Sequence, residues 1–169
     1  MRISALLPVF AALTAVANAA ALARGVYTIH SEGDGKRPIG RSYREDRSLL
    51  PKRVLVLAED EDEAPTWDID ILPNGQYRLR ARGAPVGDID SRLFACLIPD
   101  RCEGSLDWVI TPAFQRGPNV FMVEKPNRSA GWVVPRDNSD GLNKQVEVRP
   151  LINGPHGPPE QLFTFTPLE

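Results

Sequence analysis

From residue 24 onward the apolar positions come in runs of four to six, each closed by Gly, Pro, Asn or Asp. Almost none of them recurs with the 3.6-residue period of a helix. Short apolar runs between turn formers predict strands. They fall at 26–30, 38–41, 53–57, 66–71, 76–80, 84–86, 93–98, 106–111, 120–124, 132–135, 145–150 and 161–166. That is about twelve short strands and an all-β chain.

The strands group into three sets of four. Each set opens on an aromatic (GVYTI, GQYRL, NVFMV) and passes through a short second strand with small residues (PIGR, APVG, GWVVP). Each continues into a longer apolar third strand (VLVL, LFACLI, QVEVRPLI) and closes on an aromatic (TWDIDI, LDWVIT, LFTFT). The opening aromatics Tyr27, Tyr77 and Phe121 are 50 and 44 residues apart, and the closing ones, Trp67, Trp108 and Phe163, are 41 and 55 apart. A four-strand unit repeated three times predicts approximate three-fold symmetry. The closed form of that arrangement is a β-trefoil: a six-stranded barrel capped by three hairpins, with no exposed strand edges. An irregular sandwich is the competing architecture. In the trefoil the closing aromatics and the third-strand aliphatics fill the barrel, and function falls to the loops.

The first residues have a different character. Met1-Arg2 is a positive start, Ile3 to Val16 is almost wholly apolar, and Ala17-Asn18-Ala19 is a small-x-small cleavage pattern. Ala21-Leu22-Ala23 is a second such pattern. These are the three parts of a secretory leader, and the apolar stretch is short for a membrane span. The expectation is a signal peptide at 1–23, a folded domain at 24–169, and a secreted product.

Charge and composition then remove function classes. A net charge of -2, with basic residues spread rather than striped, excludes nucleic acid as the natural partner. The 13 glycines and 16 prolines lie between apolar runs, as tight turns require. The chain has two histidines, His30 and His156, and no GxSxG, HExxH or glycine-rich phosphate loop, so it carries no recognisable catalytic set and implies no cofactor. Asp68/Asp70 and Asp88/Asp90 each point one way along a strand, as an exposed face does. The acidic run EDEDE at 59–63 lacks the glycine and alternating ligands of a calcium loop and reads as a solvated turn. No metal site is expected. Asn127-Arg128-Ser129 is an N-glycosylation acceptor triplet. Cys96 and Cys102 leave two readings open: a disulfide stapling a hairpin mouth in an oxidising compartment, or Cys96 simply buried within the apolar run FACLI.

Five motifs in order, GVYTIH, EDRSL-x-PKR, ARGAPVGDID, GWVVP and GPHGPPEQLF, resemble the fungal β-trefoil serine protease inhibitors of the cospin (mycospin) type. The resemblance runs from Gly25 to Glu169. It implies a monomeric inhibitor, with a defensive role, that offers the loop between its second and third strands to a protease cleft. Here that loop is Ser42 to Lys52. Relatives directed at trypsin carry a polar residue where this chain has Leu50, just before the PKR motif.

Within the loop, Arg47, Ser48, Leu49, Leu50, Pro51 and Lys52 are the candidate contact residues. Pro51 pushes Leu50 toward extended geometry, which suits it to enter the primary pocket of a chymotrypsin-, elastase- or subtilisin-like enzyme. Arg47 is the alternative and would select trypsin. Alternation along an extended segment predicts Leu49 packed inward against the barrel. Glu45, Asp46 and Arg47 are expected to brace the loop through ion pairs. NGPHGPPEQ at 153–161 is a stiff secondary loop candidate. Two other functions remain: a carbohydrate-binding lectin, for which only Gln161-Leu162-Phe163 approaches the repeated Gln-x-Trp pattern, and a cysteine protease inhibitor.

Overall fold

The structure, a computed structural model, describes residues 21–58, 64–136, 144–152 and 157–169. It is built from thirteen short strands: β1 (Gly25–Ser31), β2 (Ile39–Gly40), β3 (Lys52–Arg53), β4 (Leu55–Val56), β5 (Thr66–Ile71), β6 (Tyr77–Ala81), β7 (Ala84–Ile89), β8 (Arg92–Ala95), β9 (Asp107–Pro112), β10 (Val120–Glu124), β11 (Gly131–Val133), β12 (Glu147–Arg149) and β13 (Phe163–Pro167). Three single 3-10 turns lie at 99–101, 114–116 and 159–161. Inward and outward residues alternate along the long strands, as in β6, where Tyr77, Leu79 and Ala81 are buried and Arg78 and Arg80 face out.

Six strands close into a ring. β1 pairs with β5, β5 with β6, β6 with β9, β9 with β10, β10 with β13, and β13 with β1, all antiparallel. Closure satisfies the edge groups of each member. The remaining strands pair outside the ring. β7 pairs with β8, and β11 with β12. β3 joins β8, and β2 pairs with β4.

Among these strands three backbones bond in a cycle. The N–H of Val54 donates to Leu93 O (3.1 Å), that of Leu93 to Val146 O (2.9 Å), and that of Val146 to Val54 O (3.0 Å). All three valine and leucine side chains are fully buried. The cycle breaks the run expected as one strand at 53–57 into β3 and β4, because Val54 turns aside to join it.

The core matches the aromatic spacing. Trp67, Trp108 and Phe163 are fully buried. Trp132, read from sequence only as a strand residue, stands among them, with ring centroids 5.6, 5.6 and 5.8 Å away. The indoles of Trp67 and Trp108 donate to Ile39 O (2.8 Å) and Val86 O (3.0 Å), so two of the three closing aromatics also anchor second strands. The opening aromatics Tyr27 and Phe121 meet Phe165 edge-on.

One boundary moves. The domain was expected to start at residue 24, but Leu22 is 6% exposed and belongs to the apolar core. The Tyr77 hydroxyl donates to Leu22 O (3.2 Å) and that of Tyr27 to Ala23 O (2.9 Å). Residues 21–23, expected to belong to the leader, thus pack against the domain. An alanine-rich segment looks leader-like in sequence, yet its one leucine finds apolar surface at the barrel end.

Candidate functional site

The loop from Ser42 to Pro51 runs between β2 and β3, and a buried cation stands at each end. Lys52 opens β3, and strand alternation turns it inward and Arg53 outward. Its side chain is only 4% exposed. The ammonium fills the inside of the loop, donating to Asp46 O (3.0 Å), Asp46 Oδ1 (2.7 Å) and Ser48 Oγ (2.9 Å). The three donors of an ammonium thus find three acceptors. Asp46 Oδ1 also accepts the Ser48 N–H (2.7 Å), and Ser48 Oγ lies 3.4 Å from the Leu50 N–H. The Lys52 ammonium first, then the Ser48 hydroxyl and N–H, hold the Asp46 carboxyl well below the usual carboxylate range.

Arg41 guards the other end. Its side chain is 7% exposed and forks onto both oxygens of Glu45, a bidentate pairing with fixed geometry. Its remaining donors reach Ala81 O (3.2 Å) at the neighbouring hairpin turn. From that turn Arg82 reaches back, donating to Ser42 O (3.1 Å) and lying 4.7 Å over the Tyr43 ring. Charges of the loop are thus spent on its own shape, as expected for Glu45 and Asp46. Arg47 differs from that expectation: it is exposed and stands outside this network.

The outer face of the loop is apolar. Leu49 is 64% exposed and Leu50 65%. Leu50 outward matches the expectation; Leu49 does not pack inward, and that reading is corrected. Residues 47–50 bend rather than extend, so strand alternation does not hold there, and it is Asp46 and Ser48 that turn toward the Lys52 ammonium. Sequence reasoning missed this role of Lys52, and those of Arg41 and Arg82. The one readable signal was alternation at the start of β3, which sends a lysine inward.

The other candidates separate. Cys96 and Cys102 form a disulfide, with Cα atoms 6.1 Å apart, which decides for the stapled reading; the paired Cys96 is buried as well. A loop this small contributes about 2 kcal/mol in the chain-entropy picture. Asn127 and Ser129 are exposed on the β10–β11 turn, and the Ser129 hydroxyl donates to Asn127 Oδ1 (2.7 Å). Asp70 pairs with Arg80 and Arg24, Asp107 with Arg78, and Asp88 with Lys125, an ion-paired surface rather than an acid–base pair. The acidic run 59–63 and His156 lie outside the described residues, as does part of the 153–161 loop. Among the described residues no cluster of His, Cys, Asp and Glu is arranged to hold a metal ion, and no helix is long and apolar enough to cross a membrane.

Comparison with known proteins bears on this loop-bearing barrel. The profile of the family described as Peptidase inhibitor I66 matches residues 20–167. A protein from Lentinula edodes named "Serine protease inhibitor" is 36% identical over 152 residues, spanning 88% of this chain and 99% of that relative. The solved structure of a proteinase inhibitor from Coprinopsis cinerea superposes with a TM-score of 0.78 at 39% identity, over 88% of this chain and all of the other. A designed three-fold symmetric protein, ThreeFoil, shares the fold with a TM-score of 0.61 at 14% identity, over 85% of this chain and 99% of its own.

Proposed function

The chain belongs to the peptidase inhibitor I66 family, and from that premise we propose that it inhibits serine proteases by seating the loop around Leu50 in the active-site cleft. It is an inhibitor and not an enzyme. One observation carries the reading: two leucines held 64% and 65% exposed on a loop whose interior is filled by a buried, fully bonded lysine. Large apolar side chains kept in water at the tip of a braced loop mark a binding surface. The ordering cost of the loop is met when the inhibitor folds, so most of the contact energy appears as affinity. A contact of standard size, about 1,600 Å² in total, exceeds what the leucines alone offer, so the flanking residues 46–51 share it; Lys52, expected among the contact residues, is turned inside the loop and 4% exposed, and that expectation is corrected.

Leu50 enters the primary pocket in this reading, and the apolar slot of a chymotrypsin-, elastase- or subtilisin-like enzyme is the match. Pro51 follows the bond that the enzyme would cut. A proline there is a poor leaving partner, and slow hydrolysis keeps the inhibitor intact. Arg47, exposed on the same loop, is the alternative pocket residue and would direct the chain to trypsin. The barrel itself we read as a β-trefoil of three four-strand units. The six-membered strand ring, the Val54–Leu93–Val146 cycle and the likeness to a three-fold designed protein support that assignment. Neither alternative function gains an observation. Gln161, the residue nearest a lectin pattern, is buried and uses its amide on the backbone of Ile152.

Titration of trypsin, chymotrypsin, elastase and subtilisin with the purified chain tests the reading. Stoichiometric inhibition of at least one apolar-pocket enzyme is expected, and Leu50→Arg moves potency toward trypsin by about two orders of magnitude, roughly 3 kcal/mol of discrimination. Failure to inhibit any of the four at micromolar protein refutes the mechanism. An unchanged target profile for Leu50→Arg removes Leu50 as the pocket residue and leaves Arg47→Ala to decide for the alternative.

A further inference from the structure

Asn127-Arg128-Ser129 is the chain's one Asn-x-Ser/Thr triplet among seven asparagines, and the inhibitor loop makes no use of it. We propose that Asn127 carries an N-linked glycan whose first N-acetylhexosamine rests in the cleft beside it, against Ser105, Lys125 and Pro126.

The triplet is presented on a firm turn. All three residues are exposed between β10 and β11. The turn is tied down by the Lys125 N–H donating to Ala130 O and the Arg128 N–H to Lys125 O, both at 2.8 Å. Arg128, the middle residue, has a left-handed backbone (φ 56°), and its guanidinium is drawn toward Glu124 Oε2 (3.5 Å).

The amide is also oriented. The Ser129 hydroxyl (2.7 Å) and the Ser129 N–H (3.1 Å) both donate to one terminal atom of Asn127. A backbone N–H only donates, so that atom is Oδ1. The planar amide then turns Nδ2 away from the bonded turn. Charge drawn to Oδ1 by two donors makes an Nδ2 proton easier to lose, which is what a serine two residues on contributes to the triplet.

Beside Asn127 lies a cleft of about 300 Å³, whose other walls are Asp88, Gly104, Ser105, Lys125 and Pro126. That is the lower bound for small-ligand sites, about 300–1,000 Å³, and suits a single ring. Its lining matches a sugar: a hydroxyl at Ser105, the Lys125–Asp88 ion pair, and apolar surface at Pro126. The 104–105 wall follows Cys102, which the disulfide to Cys96 holds in place. Disulfides form in the oxidising compartments of the secretory route, where such triplets are modified.

In the transfer, Asn127 Nδ2 attacks the anomeric carbon of an oligosaccharide carried on a lipid diphosphate. The C–N bond forms as the C–O bond to the diphosphate breaks. The lipid diphosphate leaves with the electron pair, and Nδ2 gives up one proton.

The test needs no protease, so its failure leaves the inhibitor reading untouched. The full chain is expressed in a secreting yeast, and medium and cell pellet are analysed by intact mass and peptide mapping. The expected product carries hexose-spaced extra mass, which an amidase specific for N-glycans removes while converting Asn127 to an acid. Asn127→Gln and Ser129→Ala should abolish the extra mass, and Ser129→Thr should keep it. A chain free of sugar in both fractions, or extra mass that persists in Asn127→Gln, overturns the modification. A second measurement addresses the seat. The intact glycoprotein, a form trimmed by an endoglycosidase to one N-acetylhexosamine, and the sugar-free Asn127→Gln chain are melted side by side. The first two should melt together, roughly 2–4 °C above the third. Equal melting of all three, or a trimmed form that melts with the sugar-free chain, overturns the seating of the first sugar.

Discussion

Two connections at equivalent places in the barrel have opposite designs. Trp67 anchors Ile39 and Trp108 anchors Val86, while Val54 and Leu93 meet in the central cycle. Fifteen residues run from Ile39 to Val54, but only seven from Val86 to Leu93. The short connection turns on Asp90-Ser91, both with positive φ (51° and 62°), a two-residue turn of the kind that joins twisted strands most directly. The long one adds eight residues and spends two buried cations, Arg41 and Lys52, on holding them. The short turn shows that the scaffold does not require the insertion. Its exposed leucines and internal bracing therefore answer to something outside the molecule.

The sharpest way to break the comparison is to erase the difference. Replacing residues 41–52 with Asp-Ile-Asp-Ser, the connection of the second repeat, removes the loop together with the two cations that it satisfied. Inhibition should fall by more than a hundredfold while stability stays within about 2 kcal/mol, because shortening a loop carries little entropic penalty. Titration of residual protease activity beside calorimetry checks both. Collapse of stability would mean that the insertion is structural.

Lys52→Met keeps the buried stem and removes the ammonium from Asp46 and Ser48. Roughly tenfold weaker inhibition is expected, about 1.4 kcal/mol, with faster amide exchange confined to residues 46–50. An unaltered inhibition constant would show that the brace does not order the contact surface.

A smaller effect appears with pH. The Asp46 carboxyl is held below its ordinary value by the Lys52 ammonium and the Ser48 donors. A depressed carboxylate contributes order that is complete above its unfolded pKa and is lost only as pH falls through the folded one. Loop amide shifts should therefore stay constant from neutrality down through pH 4 and move only in stronger acid, whereas in Asp46→Asn the loop is already loosened at neutral pH. An NMR titration that finds the loop melting near the usual carboxylate range would contradict the brace.

The smallest change belongs to the short turn. Ser91→Gly relieves a left-handed backbone at the cost of a freer unfolded chain, and these terms nearly cancel. Stability within about 1 kcal/mol and untouched inhibition are expected. An effect on inhibition would mean that the two connections are not independent.

The alternation of β6, the spacing of Trp67, Trp108 and Phe163, and the turn formers between runs were all readable along the chain, because strand period and tight-turn chemistry are local. Leu50 outward was expected, but on an extended backbone set by Pro51, whereas residues 47–50 bend. Leu49 was misplaced by the same local logic. Alternation assumes an extended strand, and residues 47–50 bend instead, with Asp46 and Ser48 bonded to the Lys52 ammonium.

Local pattern decided the all-β class and the spacing of the aromatics, because backbone geometry and hydrophobic period act over a few residues, while the loop at 42–52 was singled out by the resemblance of its motif to the inhibitor family. Tertiary structure alone decided that Val54, Leu93 and Val146 share one cycle, that Leu22 joins the buried core, and that Trp132 packs against Trp67, Trp108 and Phe163. The cycle joins groups up to 92 residues apart, Val54 and Val146, and Trp132 meets Trp67 from 65 residues away. Burial and hydrogen bonding act on distance in space, and no reading along the chain supplies that distance.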